Sequence, residues 1–205
     1  DFIPNGVHAG IYEAEAEGYY EDNGIDLKII EPTSTADTLR LILAGKADFG
    51  LADGVDLAQQ MDAGRPAKGI MAVLQRPAGG LVTLAEEDIT SPKQLAEKKV
   101  GVTGVPSDNV VFDQIVSDAG GDPANSDLIT IGFNGVQALK AGRISAFTGY
   151  VPADATAVEA DGQKTRSFLL DENGGPSYPG PVAFSTEEEV ADDPGLMVGF
   201  GEADT

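Results

Sequence analysis

The chain has 205 residues, 41% of them apolar, and a formal net charge of -21 from 34 acidic and 13 basic side chains. That is enough apolar material to bury a sizeable core, in one domain or two small lobes, while the charge repels nucleic acid and anionic membranes. Cysteine is absent, which excludes disulfides, thiolate metal sites and a cysteine nucleophile. No apolar run approaches the roughly 18 residues of a membrane span, and the first residues lack a basic-then-apolar signal segment, so the expectation is a chain that begins after a removed signal. Two readings of the acidity stay open: a soluble acidic surface, or adaptation to high salt as in a halophile, where salt screens the self-repulsion.

In chain order, Asp1, Phe2 and Ile3 form a short apolar run that breaks at Pro4, Asn5 and Gly6; a helix-like segment follows, and the alternation from Ile25 to Ile30 reads as a strand. This is a β-loop-α-β unit with polar residues at the strand's carboxyl end, where open α/β sheets place ligands. Ser34 to Gly45 has a Ser/Thr cap, apolar Leu39, Ile42 and Leu43, and a closing glycine, the punctuation of a helix. Ala47 to Leu51 reads as a strand, Val55 to Ala63 as a helix, and Gly69 to Leu74 and Gly80 to Ala85 as strands. Ser91 and Pro92 start a short helix, with Ser91 as cap and Pro92 at the first helical position.

Strands are then expected at Lys99 to Thr103, Leu128 to Ile131, Ile144 to Thr148, Ser167 to Leu170 and Val182 to Ser185. Helices are expected at Ser107 to Ala119, Gly135 to Ala141 and Pro152 to Ala160, with one more beginning at Glu187. A weak repeat joins a helix end to a short strand through Ala-Gly-basic, once at Ala44 to Gly50 and again at Ala141 to Phe147. Ala-Gly-Lys is also an ordinary helix stop, so the repeat alone leaves one domain and two similar lobes both open.

Further motifs carry a family resemblance. Asp1 to Asn5 with His8, Ala9 and Gly10, then Gly18-Tyr19-Tyr20 and Gly24-Ile25-Asp26, resemble the start of solute-binding proteins that serve ATP-binding-cassette importers of the thiamin-pyrimidine-precursor, riboflavin and alkanesulfonate group. Leu43 to Gly50, Gly101 to Gly104 and Ala141 to Arg143 extend the resemblance along nearly the whole chain. It implies a two-lobed α/β fold of the periplasmic-binding-protein type II class, each lobe a mixed sheet flanked by helices, with a ligand cleft between them. On that reading residues 1–84 and 181–205 form the first lobe and 85–180 the second, with hinge strands near 79–85 and 180–185. Members of the family usually continue through further helices of the first lobe, so a truncated or short variant is expected.

Candidate ligand contacts lie in loops at strand carboxyl ends. Asn5 and His8 can each donate and accept, which suits a heteroaromatic solute, although His8 can equally be a packed or capping helix-start residue. Tyr12, four residues on, shares its helix face; it can stack on a planar ligand or belong to the core. Ser34 and Thr35 can hold an anionic or carbonyl group at a helix start, or merely cap the helix. Asp53 follows a strand and can accept from a ring amine, or be an exposed loop acid.

In the second half, Ser107, Asp108 and Asn109 stand at a helix amino end, where free N–H groups are expected to point at a ligand. The loop lacks the lysine and spacing of a nucleotide-hydrolysing phosphate loop. Asn134 opens the next helix, Tyr150 follows a strand, and Tyr178 sits in a turn-rich segment; the two tyrosines can wall a flat ring or pack in the core.

The resemblance extends to a thiamin-pyrimidine synthase of the same fold, which holds pyridoxal phosphate on a lysine, consumes a histidine and uses a cysteine-rich loop. By motif alignment those lysine and histidine positions are Ala52 and Asp56 here, and Gly175 to Gly180 contains no cysteine. No catalytic triad and no metal-ligand cluster stands out either. The expectation is therefore a non-enzymatic binding protein without cofactor or metal, monomeric, working with a transporter permease in the periplasm or outside the cell, and possibly membrane-anchored through a lost segment. Its expected solute is a small planar heterocycle, first a thiamin pyrimidine precursor. Riboflavin, an alkanesulfonate, or a cytosolic enzyme-like role are the alternatives.

Overall fold

The computed structural model describes residues 4–32 and 35–203, which divide into two compact units. Unit 1 comprises residues up to Gln75 together with those from Pro179 onward, and unit 2 runs from Arg76 to Tyr178.

Unit 1 begins with a 3-10 turn, Gly6–His8, then helices α1 (Ala9–Ala16), α2 (Tyr19–Asp22) and α3 (Thr35–Leu43). Gly18, at φ +79°, supplies the left-handed residue that separates α1 from α2. Strand β1 (Gly50–Asp53), helix α4 (Gly54–Asp62) and strand β2 (Ala67–Ala72) follow. After unit 2 the chain returns to unit 1 as strand β8 (Pro181–Thr186) and helices α8 (Glu187–Asp192) and α9 (Pro194–Ala203).

The returning β8 is the centre of unit 1. It lies between β1 and β2, antiparallel to both, so the sheet depends on a pairing that spans more than half the sequence. Phe184 of β8 is fully buried among Leu39, Ile42, Ala52 and Leu57. A side chain at Gly50 would put its Cβ 2.8 Å from the Phe184 ring and 2.9 Å from the Thr38 methyl, so only glycine fits that approach. A second cluster joins Ile11, Ala14, Tyr20, Ile25 and Phe200, with the Phe49 ring stacked on Phe200 at a centroid distance of 4.2 Å.

One expected strand is missing. Ile25 to Ile30 alternates correctly, yet residues 25–32 carry neither helix nor strand. Period alone makes no strand, because each needs a neighbour to take its N–H and C=O groups. None of the described segments pairs with this run.

Unit 2 has a five-stranded sheet in the order β5-β4-β6-β3-β7. Its strands are β3 (Gly79–Leu84), β4 (Lys99–Val102), β5 (Asp127–Thr130), β6 (Ala146–Tyr150) and β7 (Thr165–Leu169). β4 runs parallel to β5 and β6, whereas β3 is antiparallel to β6 and β7. The helices are α5 (Pro106–Asp118), α6 (Gly135–Lys140) and α7 (Val151–Ala160).

Successive residues of β3 face opposite sides of the sheet, and each side has its own core. Leu81 packs with Leu95, Val100, Phe112, Ile115 and Phe168, and Val82 with Leu139, Phe147, Val151 and Val158. Phe112, Ile115 and Val116 share one face of α5 by their i, i+3, i+4 spacing, and all three are fully buried. The short helix expected at Ser91 is a 3-10 turn, Pro92–Leu95, closed by a capping box in which Gln94 reaches back to Ser91.

Candidate functional site

In unit 1 the first loop is built by its own polar residues. Asn5 Oδ1 accepts from the Val7 N–H at 2.9 Å, and the Asn5 N–H donates to His8 Nδ1 at 3.3 Å, a reciprocal cap on the turn. Accepting that bond requires an unprotonated Nδ1, which places the ring proton of His8 on Nε2. Burial acts in the same sense: His8 is 7% exposed, and desolvation lowers its pKa from the usual 6.5. The ring is therefore neutral at pH 7.

His8 and Tyr12, one helical turn apart, both line a cavity of about 490 Å³ inside unit 1. Its other walls include residues 24–32, Leu41, Ile42 and Phe200. Thr38 contributes a residue that sequence reasoning missed: it is 7% exposed, lines this cavity, and its hydroxyl has no hydrogen-bond partner among the described residues. At helical spacing it reads only as one more apolar-face position of α3.

Asp53 ends β1 and caps α4, its Oδ1 accepting from the Val55 N–H at 2.9 Å; it is buried and is not among the residues lining the cavity. Ser34 lies outside the described residues. Thr35 opens α3, and its side chain is likewise outside the described set.

In unit 2 the loop before α5 is closed on itself. Asp108 Oδ2 accepts from the Thr103 N–H at 2.7 Å, the Thr103 hydroxyl at 2.6 Å and the Gly104 N–H at 3.1 Å. The carboxylate of Asp108 thus ties down the loop that leads into α5, by way of Thr103 and Gly104. Asp108 is 8% exposed, with Ser107 half-buried beside it and Asn109 in the open.

Asn134 precedes α6, exposed, its side-chain amide donating to the Ile131 carbonyl at 3.2 Å. Tyr150 is half-buried at the junction of β6 and α7. Tyr178 packs against the Leu81 core.

Beside Tyr150 stands a second residue that the sequence reading missed. Asp154, in the first turn of α7, has its pKa pushed up from 3.8 to about 6 by burial, against the opposing pull of a hydrogen bond with the Tyr150 backbone. In sequence it looks like an ordinary first-turn acid; only packing shows that Asp154 and Gly149 are in contact. A carboxyl that titrates near neutrality can accept from a ring amine or donate to a ring nitrogen. Among the described residues no group of three or more acidic or histidine side chains is arranged to hold a metal ion.

Known proteins place this chain. It is 28% identical over 204 residues to a formylaminopyrimidine-binding protein of Halalkalibacterium halodurans, covering 99% of this chain and 62% of that protein. It is 32% identical over 142 residues to a 4-amino-5-hydroxymethyl-2-methylpyrimidine phosphate synthase of Schizosaccharomyces pombe, covering 69% of this chain and 41% of the enzyme. The chain thus spans less than two thirds of either relative.

Among solved structures it superposes on the periplasmic aliphatic sulphonate binding protein SsuA of Escherichia coli with TM-score 0.72 at 16% identity, covering 95% of this chain and 68% of the other. The ligand-binding component of an ABC-type import system from Staphylococcus aureus gives TM-score 0.74 at 11% identity, covering 97% and 69%. Identities this low establish the fold, which is that of the periplasmic binding proteins. The sequence pattern of the family described as NMT1/THI5 like matches residues 5–204, and the chain belongs to that family.

Proposed function

We propose that this chain is the solute-binding component of an ATP-binding-cassette importer, and that its solute is a small planar heterocycle of the thiamin-pyrimidine-precursor class. The observation that carries the reading is the likeness to a formylaminopyrimidine-binding protein along essentially the entire chain. We assign Asn5, His8 and Tyr12, all in unit 1, as contacts. Capture takes place in the periplasm or outside the cell, and the loaded protein delivers its solute to a permease.

The likeness to pyrimidine phosphate synthases favours an enzymatic second reading. Against it, the position aligned with the synthase lysine is Ala52, fully buried in the core around Phe184, and no cysteine exists for the loop chemistry. Titration with pyridoxal phosphate separates the two: stoichiometric binding that persists against an excess of free lysine would favour the enzyme.

The direct test is thermal stability against formylaminopyrimidine, thiamin, riboflavin and an alkanesulfonate. A solute at a hundred times its Kd stabilises by about 2.7 kcal/mol. A saturable shift with the pyrimidine, lost in Asn5→Ala and Tyr12→Ala variants that remain folded, is the expected result. A shift with the alkanesulfonate alone would overturn the solute class.

A further inference from the structure

The two ring nitrogens of His8, the only histidine of the chain, sit in unlike settings. Nδ1 stands 3.3 Å from the Asn5 backbone N–H, a group that donates and never accepts. The ring proton is therefore on Nε2, and no described residue accepts it. Nor is Nε2 sealed away without a partner, as the Thr38 hydroxyl is, and His8 lines the cavity of unit 1.

The ring has no second arrangement of equal standing. Asn5 Oδ1 caps the Val7 N–H at 2.9 Å, so the turn that aims Nδ1 at Asn5 is itself held. Turning the ring over sets a carbon against the Asn5 N–H, and moving the proton to Nδ1 sets donor against donor; either change leaves that N–H bare. Burial works against the charged ring, because desolvation disfavours an imidazolium. One orientation and one neutral tautomer remain. A hydroxyl can rotate to suit a donor or an acceptor, whereas a histidine whose other nitrogen is committed offers its partner one thing only.

We infer that His8 is the specificity-determining residue of the solute site in unit 1: a neutral N–H donor, fixed in direction, that selects solutes presenting a bare acceptor to it, which in the pyrimidine ring is one of the two nitrogens. A solute with an amino group or ring N–H in that place meets donor with donor. One with a C–H there leaves the buried Nε2–H without a partner. The inference rests on the proposed assignment of His8 as a solute contact and adds the kind of atom that it reads.

The test uses the 205-residue chain with its histidine isotopically labelled, so that the nitrogen spectrum is that of a single ring. NMR of the solute-free chain at pH 7 should show Nδ1 bare and Nε2 protonated; a proton on Nδ1, or on both nitrogens, would overturn the inference. Formylaminopyrimidine should then move the Nε2 signals and leave the tautomer unchanged. Of two analogues in which one or the other ring nitrogen is replaced by C–H, one should bind at least about tenfold more weakly than the pyrimidine. In His8→Asn the new Oδ1 can replace Nδ1 towards the Asn5 N–H but reaches no further. That variant should melt like the parent, bind the pyrimidine at least about tenfold more weakly, and no longer distinguish it from the analogue. Saturable binding of the pyrimidine with an undisturbed His8 ring, or equal affinity of the parent chain for all three compounds, leaves the proposed solute standing and sinks the inference. Binding of thiamin or riboflavin in place of the pyrimidine, with the same movement of Nε2, refutes the proposed solute and supports the donor rule. Binding of none of them by the folded chain overturns both.

Discussion

Replacing Asp154 by asparagine removes one proton-binding group from unit 2 while keeping a side-chain oxygen able to accept from the backbone. In the folded protein this carboxyl titrates near 6 instead of 3.8. The gap of about two units, at roughly 1.4 kcal/mol per unit, corresponds to about 3 kcal/mol. Because the folded-state pKa is raised, the native state holds more protons than the unfolded state between about pH 4 and pH 6. Stability contributed by the protonated form is therefore present below pH 4 and lost as pH rises through 6. Asp154→Asn has no such loss. The half-buried setting makes about 3 kcal/mol an upper figure. Urea denaturation of both proteins at pH 4, 5, 6, 7 and 8 in constant high salt, followed by circular dichroism, measures the difference directly. Titrations common to both chains cancel in it. The variant should match the parent near pH 4 and exceed it by up to about 3 kcal/mol at pH 7, as a shift in midpoint with unchanged slope. A stability difference that is constant across this range would refute the burial argument.

Asp108→Ala should destabilise unit 2 by about 2–4 kcal/mol, since three donors on Thr103 and Gly104 lose a charged acceptor; chemical denaturation measures it, and a neutral result would mean that water replaces the carboxylate without cost. Gly50→Ala should cost about 1–3 kcal/mol through overpacking against Phe184 and Thr38, read as a lowered melting temperature. Potassium chloride should raise the melting temperature steeply up to about 1 M, because a charge of -21 repels itself until salt screens it; a flat response over that range would remove the high-salt reading of the composition.

By itself the sequence determined the local elements whose signals are self-contained. The cap Ser91 with Pro92 behind it marks a helical start, the stretch from Ser107 to Ala119 marks α5, and the apolar run from Gly80 marks the strand β3. Each depends on residues a few positions apart, so period and capping are readable without knowledge of neighbours. The family was legible for a related reason, because each of its motifs is a stretch of a few consecutive residues.

What only the tertiary structure decided depends on residues far apart in the chain. The position of β8 between β1 and β2 is set by a return of the chain after a hundred residues, and Gly50 becomes obligatory only once Phe184 arrives beside it. Asp108 reads in sequence as a helix-start acid with open neighbours; its carboxylate proves to be the ligand of its own loop. Asp154 reads as one acid among 34, and burial moves its titration up to about 6. The run from Ile25 to Ile30 shows the limit most plainly: alternation gives a strand its faces, whereas only a partner at its edge gives it hydrogen bonds.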